Sequence, residues 1–527
     1  MSLTTAEGES IAPYFTNTDR PVFALINLPE TVKGALFARY SRSPKSLRRL
    51  FLDEFFEGVA GRAADAAGVR VERADRLYQR VFNDYGDDSV AQLGGVHLAV
   101  EDASNILTKV LERGRLMAYL EQSTRYIPYT DRRGDAWRYL VPAELDGHPI
   151  RARYIETMNA IFEIYAKWIA PMQNWFEARY PKAPGDSDNV HRAAIRAKAL
   201  DTLRGLLPAA TQSNVGIYGT GQAYEALLLR MRAHPLAEAR ATADLMLEEL
   251  RKVIPAFLTR VDQPDRGGRW SRYLTDTRAQ TKEIAVRLSA GAPAGPAGEV
   301  TLVDWDPEGE AKVVAAALYT SSYRSDAELL AIARKMSPDD RAAVLAAYVG
   351  ERSNRRHKPG RAFERTGYRF DVLTDYGAFR DLQRHRLMTI DWQALSTRHG
   401  YTRPEAVVEA GGGADFDEVM ERSAVLFDAL TGAGCGDVAQ YAVAMAYRVR
   451  FVMDMNAREA MHVIELRTVP QGHPAYRRVC QAMHRLIDQR AGHHAIAAAM
   501  KFADHSEVEL ERLQEERRLE SKRRQRG

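Results

Sequence analysis

The residues best equipped for chemistry are arginines grouped with a hydroxyl. Arg113–Tyr126 reads RGRLMAYLEQSTRY, two arginines around one glycine and then Glu121, Gln122, Ser123, Thr124, Arg125 and Tyr126. Arginine presents a planar fork of donors that suits phosphate and carboxylate. Ser123 and Arg125 alternate, so in an extended loop they point to one side. A hydroxyl, a guanidinium and exposed backbone N–H groups would form an anion site. A solvated basic turn is the alternative that these residues alone leave open. A second stretch, Arg384–Tyr401, reads RHRLMTIDWQALSTRHGY. It opens with Arg-x-Arg-Leu-Met and contains Ser396-Thr397-Arg398, so both ends of the first stretch recur, the signature of a repeated unit.

A third constellation lies at Asp454–Thr468, DMNAREAMHVIELRT. Asn456 and Arg467 stand eleven apart, three helical turns, and so share a face. Arg458 and His462 are four apart, His462 and Glu465 three apart, and Arg450 lies just upstream. Gly221 and Arg232 repeat the eleven-residue spacing in the first half. The competing expectation is a surface helix carrying its own ion pairs.

The elements that must carry these groups also recur. Val96, Leu98 and Val100 alternate as in a strand, and a helical stretch over Ala103–Leu111 delivers the chain to Arg113. Tyr368, Phe370 and Val372 alternate likewise, and a helical stretch delivers the chain to Arg384. Val22–Leu28 reads as a short strand, and Ser43-Pro44 as the start of a helix with Leu47, Leu50, Phe51, Phe55 and Val59 on its apolar face. Residues 150–262 read as mostly helical, and Asp437–Leu486 as almost wholly so. The small-residue run Ser289–Gly298, SAGAPAGPAG, cannot pack a core and reads as a linker. It divides the chain into a first domain at 1–288 and a second at 299–504, with a charged helical tail at 505–527 that reads as a solvated segment. The cluster NRRHK at Asn354–Lys358 reads as solvated surface.

The chain has 527 residues, 45% hydrophobic and 27% charged, as in a globular protein of more than one core. Its net charge of +4 does not suggest a general nucleic-acid binder, though it allows local anion pockets. Two cysteines, Cys435 and Cys480, show no metal-ligand spacing, and no metal site is expected. The N-terminal residues lack the pattern of a signal peptide, and no apolar run is long enough to span a bilayer, so a cytoplasmic location is expected.

These residues resemble the flavin-dependent thymidylate synthases. That family carries Arg-His-Arg, seven residues, then Ser, with arginine two further on. Arg113-Gly114-Arg115, Ser123 and Arg125 are similar except for Gly114. Arg384-His385-Arg386 matches the opening, with Ala394 in the serine's place. Asn456-Ala457-Arg458 through Leu466-Arg467 resembles the family's later helix, and Arg450 stands where a substrate arginine is kept. The family's Gly-His-x-x-x-x-Glu-His patch is replaced by Gly86-Asp87-Asp88-Ser89 and Ala91-Gln92 in the first half, and has only scattered candidates such as His357 and Glu364 in the second.

The resemblance implies an α/β (α+β) fold in two tandem, helix-rich thymidylate-synthase-complementing-type domains, each with a small sheet. It implies FAD, with NADPH and methylenetetrahydrofolate as co-substrates, in the methylation of dUMP or a related pyrimidine nucleotide. Glu121, Gln122, Ser123, Arg125, Arg450 and Arg467 would bind substrate. Arg384, His385, Arg386, Asn456, His462, Arg113 and Arg115 would bind the cofactor. Family members are tetramers of single units, so a homodimer forming a pseudo-tetramer is expected. Because the halves lose different residues, one composite site is expected, taking Ser123 and Arg125 from the first half and the nucleotide arginines from the second. A non-catalytic nucleotide- or flavin-binding protein, or a flavoenzyme with another substrate, is the alternative.

Overall fold

The computed structural model describes residues 4–40, 43–59, 92–291 and 298–525. Within them one pattern occurs twice. In the first half β1 (Gly95–Ser104) leads into α1 (Asn105–Leu111), the chain turns through Arg113–Arg115, and β2 (Met117–Glu121) follows. Two long helices, α2 (Arg151–Arg179) and α3 (Asp188–Leu203), intervene before β3 (Gln212–Thr220) and α4 (Gly221–Arg232). The half closes with α5 (Ala237–Val253) and α6 (Gly267–Ser289). The second half adds β4 (Val300–Trp305) and three helices, then repeats the order: β5 (Gly367–Asp375), α7 (Tyr376–Leu382), the Arg384–Arg386 turn and β6 (Thr389–Trp392). It continues through α8 (Gly413–Gly432) to β7 (Arg448–Asn456), α9 (Ala457–Arg467) and α10 (Pro474–Gln489), and ends in α11 (Leu513–Arg524). The sheets agree: the first has the order β1-β3-β2, the second β4-β5-β7-β6, so the strand that feeds the later helix is central in both. The protein is therefore a helix-rich α+β tandem repeat.

The alternating residues set the strand faces. Along β7, Val449, Phe451, Met453 and Met455 are buried, and β7 pairs antiparallel with β5 from Gly367↔Asn456 to Asp375↔Arg448. Each such side chain contributes about 1.5–3 kcal/mol by leaving water. A polar cap ends each central strand and starts its helix: Thr220 Oγ1 accepts the Ala223 N–H at 3.3 Å, and Asn456 Oδ1 accepts the Glu459 N–H at 2.9 Å.

Two compact bodies emerge, and they do not coincide with the sequence halves. One comprises Met1–Ala103, Val110–Gln122 and Ser213–Pro293; the other comprises Ser104–Lys109, Ser123–Gln212 and Ala294–Gly527. The second body thus contains α2 and α3 from the first half. Inside it, equivalent segments of the two halves pair antiparallel. Ala209 and Ala210 donate their N–H groups to Val443 O and Tyr441 O at 2.8 and 3.0 Å; Met445 and Ala446 donate to Leu207 O and Gly205 O at 2.9 Å each. Pro208 and Ala444 form the bridge at the centre.

Several local expectations change. Val22–Leu28 is not a strand; Leu25 makes a single bridge with Phe15. The helix at Leu47–Glu54 is capped by Ser46, not Ser43, while Leu47, Leu50, Phe51, Phe55 and Val59 are buried as expected. The helical readings of 150–262 and Asp437–Leu486 miss β3 and β7. The alternation in RVRFVMDMN was visible, but flanking helical residues outweighed a nine-residue strand. The tail is not simply solvated. Arg517 grips Asp186, in the turn before α3, through two bonds of 2.6 and 2.8 Å, and buried Glu511, just before α11, accepts from Lys198 at 2.5 Å, so the tail docks on α3 and its leading turn. Of the Ser289–Gly298 run, 292–297 lie outside the described residues, as do Gly86-Asp87-Asp88-Ser89 and Ala91. Among the described residues no helix is long and apolar enough to cross a membrane.

Candidate functional site

The second body gathers arginines from four separate elements around two aspartates. Ser123 opens a turn, not an extended loop: the Arg125 N–H donates to Ser123 Oγ at 3.3 Å and the Tyr126 N–H to Ser123 O at 3.3 Å. The turn aims Arg125 at Asp201 in the last turn of α3, with Nη2 2.6 Å from Oδ2. Arg204, just past α3, lies 3.5 Å from Asp201 and 3.5 Å from Asp381 at the end of α7. Arg384 approaches Asp381 at 3.8 Å, and Arg467, the last residue of α9, at 3.9 Å. Arg467 also lies over the Tyr476 ring, 5.4 Å from its centre.

Charge explains why buried carboxylates persist here. Burial works to raise the Asp381 pKa, but Arg384, Arg204, Arg467 and Arg125 together hold it well below the usual carboxylate range. Burial likewise opposes ionisation of Asp201, and the guanidinium charges of Arg125 and Arg204 overcome it. His473 caps α10, its Nδ1 accepting the Ala475 N–H at 3.1 Å; burial and then Arg204 push its pKa down to about 3, so it is neutral. Four arginines against two aspartates leave a net charge of +2. Two N–H-bearing atoms of the cluster, Arg125 Nε and Arg204 Nη2, are buried with no hydrogen-bond acceptor among the described residues. An uncompensated buried donor costs about 1–3 kcal/mol, which an anionic ligand would relieve.

A second group adjoins it through Arg467. Arg467 Nε donates to His385 Nε2 at 2.8 Å, which places the ring proton on Nδ1, 3.7 Å from Glu459 Oε1. His462 packs edge-on to His385 with ring centres 5.5 Å apart. Ligand atoms of His385, Glu459 and His462 all lie within 4.8 Å of one another, a spacing that could hold a metal ion. The surrounding charge is positive: burial and then Lys358, Arg355, Arg467 and Arg458 depress the His462 pKa to about 4. Burial raises that of Glu459 to about 7 against the pull of Lys358 and Arg458. At neutral pH both histidines are uncharged, and the Arg467 bond occupies one ring nitrogen.

The structure thus brings Arg384 and Arg467 to Asp381 and Arg125 to Asp201, the two aspartates being joined through Arg204, with His385 bonded to Arg467 and His462 beside His385. Arg204 belongs to the cluster, and the spacing patterns did not single it out. Counting back four residues from the bridged Pro208 and Ala444, its second-half counterpart is Gln440, so no repetition flagged it. Arg450 lies elsewhere: it bonds Asp371 at 2.8 Å on the neighbouring strand and stands beside His399 and Arg398. Asn456 is committed to its cap. The expected surface helix with internal pairs is instead a buried one: Glu465 pairs with buried Arg352 at 2.6 Å, and Arg458 bonds Pro359 O at 2.9 Å. The 354–358 segment therefore fringes buried charges, with His357 O accepting from Arg352 at 2.5 Å. Arg386 is half-buried in the turn after His385. In the other body, Glu121 is the buried end of β2, and the Gln122 N–H bonds Asn214 O at 2.9 Å. Arg113 and Arg115 line a cavity there. The apparent Gly221/Arg232 repeat is one residue out of register: the caps Thr220 and Asn456 correspond, which sets Met231 opposite Arg467. Arg232 pairs with Asp244 at 2.8 Å.

Two copies of one α+β pattern, each placing an Arg-x-Arg turn before a short strand, define the class. The chain belongs to the thymidylate synthase complementing protein family, whose sequence model matches residues 36–256 and again 301–491. Among its relatives is a UPF0159 protein of Chlamydia muridarum, 37% identical over 97% of both chains. A UPF0159 protein of Thermoplasma acidophilum is 30% identical over 92% of this chain and 97% of its own. A flavin-dependent thymidylate synthase of Clostridium tetani is 27% identical over 38% of this chain and 73% of its own.

Proposed function

We propose that the arginine cluster of the second body holds the phosphate of a pyrimidine nucleotide, dUMP or a close relative, for flavin-dependent methylation. The observation that carries this reading is the pair of buried donors, Arg125 Nε and Arg204 Nη2, without acceptors among the described residues, in a cluster of net charge +2. A phosphate monoester dianion matches both the charge and the donor geometry of guanidinium groups. Arg125 and Arg204 bind the phosphate, and Ser123 Oγ stands at the head of the same turn. His385 holds Arg467 in place through Nε2, and the Tyr476 ring supports it from the other side.

FAD fits this donor set through Arg384 and Arg386, which flank His385 and suit its anionic pyrophosphate. When bound, the flavin supplies the hydride chemistry, methylenetetrahydrofolate the carbon and NADPH the reducing equivalents. The protein's part is to orient the nucleotide, exclude water and present fixed positive charge to the uracil oxygens. The chain works as a cytoplasmic homodimer, two tandem units per chain making a pseudo-tetramer.

A second reading, binding without turnover, is favoured by one observation. His385 faces inward, committed to Arg467 and Glu459. The two readings separate in one experiment on purified protein. Flavin absorbance with conversion of dUMP to dTMP in the presence of methylenetetrahydrofolate and NADPH supports the enzyme. Calorimetric dUMP binding without product supports the second, and absence of any nucleotide binding rejects both.

A further inference from the structure

The second stretch that matches the family ends at residue 491, and the chain beyond it returns to the arginine cluster at three places. The first is the end of α9, directly after Arg467. There the Asp504 N–H donates to Thr468 Oγ1 at 2.9 Å, and the Gln481 side-chain amide donates to Asp504 O at 3.0 Å. Arg477, buried on α10, joins the same knot: Nε donates to Thr468 O at 2.9 Å, and Nη2 donates to Ser506 O at 2.9 Å and to Asp504 Oδ1 at 3.3 Å. The second place is the turn that carries Arg125. The Arg512 guanidinium lies over the ring of Tyr126, the next residue, 5.0 Å from its centre. The third is α3, where Glu511 takes Lys198, three residues before Asp201 and so on the same face of the helix.

The chemistry of each contact fits bracing. A buried carboxylate is costly unless paired, so Glu511 fixes its own position by meeting Lys198. Burial raises the Glu511 pKa against the pull of Lys198, and the Asp201 charge adds to the rise, which puts the tail within electrostatic reach of the cluster. Arg512 is held at the start of α11, with Glu516 one turn on at 3.8 Å. Its Nε is buried with no acceptor among the described residues, and the Tyr126 ring face offsets that loss. The turn it covers is lightly held. Both of its own bonds from Ser123 are long, 3.3 Å each, and Tyr126 is still 45% exposed.

We propose that residues 502–517 are a strap that positions the phosphate-binding arginines: Asp504 fixes the end of α9 behind Arg467, Arg512 fixes Tyr126 and with it Arg125, and Glu511 fixes α3 beside Asp201. The proposal rests on the reading of the cluster as a nucleotide-phosphate site. The strap residues are positioning residues. They hold separate elements in the one arrangement that a phosphate can bridge, so the cost of ordering them is met before the ligand arrives.

Calorimetric titration of the full chain with dUMP and with inorganic phosphate tests this. Arg512→Met is expected to weaken both about three- to tenfold, the range of a cation–aromatic contact. Tyr126→Leu should weaken them to the same extent, and the double variant should be no weaker than either single one, because both changes remove one contact. Tyr126→Phe keeps the ring and is expected to bind dUMP about threefold or more tightly than Tyr126→Leu. Thr468→Val, at the other anchor, removes the acceptor of the Asp504 N–H and is expected to weaken both ligands several-fold. A tail that only stabilises the fold would shift melting temperatures and leave the affinities of the folded chain alone. Unchanged dUMP affinity in Arg512→Met or in Thr468→Val would therefore overturn the strap. So would additive losses in the double variant, equal affinities in Tyr126→Phe and Tyr126→Leu, or a loss for dUMP without one for phosphate. Failure of the unaltered chain to bind either ligand would instead reject the phosphate-site reading, and the strap with it.

Discussion

Glu459 and His462, three residues apart on α9, hold opposite proton preferences. Burial lifts Glu459 from an ordinary 4.5 to about 7, so the folded chain keeps a proton that the unfolded chain has lost. Its stabilisation is complete below pH 4.5 and disappears as pH rises through about 7. Burial, and then the nearby Lys358, Arg355, Arg467 and Arg458, lower His462 from 6.5 to about 4. Its stabilisation is complete above pH 6.5 and disappears as pH falls through about 4. The two slopes oppose each other between pH 4.5 and 6.5. Glu459→Gln should therefore make stability rise more steeply with pH across that window, and His462→Gln should flatten or reverse the trend. Urea midpoints at the two ends of the window measure both; slopes of the same sign change in both variants would contradict the assignment. Arg125 supplies a second test at this scale. Removing one partner of a buried pair leaves the other charge stranded, which costs about 3–5 kcal/mol. Arg125→Ala should destabilise by about that amount, and adding Asp201→Asn should restore part of it. A double-mutant cycle with no coupling would show that the 2.6 Å contact carries no energy.

At the scale of elements, the two central strands end in polar caps that set the start of the next helix. Replacing Asn456 by Ala should cost about 1 kcal/mol, and Thr220→Ala a similar amount, measured by thermal unfolding. Asn456 could be read from the sequence as significant, but its role is the cap, and no spacing rule separates a capping asparagine from a ligand-binding one. The strand–helix–Arg-x-Arg order was legible in both halves because alternation and helical period sit side by side there. The strands β3 and β7 were not, because each is enclosed by helices whose periodicity fills the same window. Arg204 escaped for another reason: its partners Asp201 and Asp381 lie on helices from different halves, so only tertiary contact joins them. The tail shows the same limit. Its charge pattern looked like that of a solvated helix, yet Glu511 and Arg517 find Lys198 and Asp186 far back in the chain. Removing residues 505–527 should lower the melting temperature, since Lys198 on α3 and Asp186 in the turn before it lose their counter-charges; an unchanged melt would mean that the docking contributes nothing measurable.

For the whole molecule, residues of both halves meet in one body. The second half keeps the Arg-His-Arg turn and Arg467, while the first contributes Arg125, Asp201 and Arg204 to the same body. A chain with two copies of a unit is free to specialise one surface while the other drifts, and the two turns differ accordingly: where the second half has His385 the first has Gly114, and a Cβ at Gly114 would meet Tyr119 Oη at 2.5 Å. The proposed homodimer is checked by multi-angle light scattering, where twice the 59.1 kDa chain mass is expected at micromolar concentration. A value matching one chain would reject it.

The reciprocal backbone bonds between Gly205–Ala210 and Tyr441–Ala446 carry one more consequence. In an assembly of single-unit chains, a seam of this kind would have to form between separate molecules and would loosen on dilution. Here both edges sit on one polypeptide, so each meets its mate at a local concentration fixed by the intervening chain. The seam cannot be titrated apart. Arg204, immediately before it, keeps its registration with its partner Asp381 in a cell that makes only a few copies of the protein.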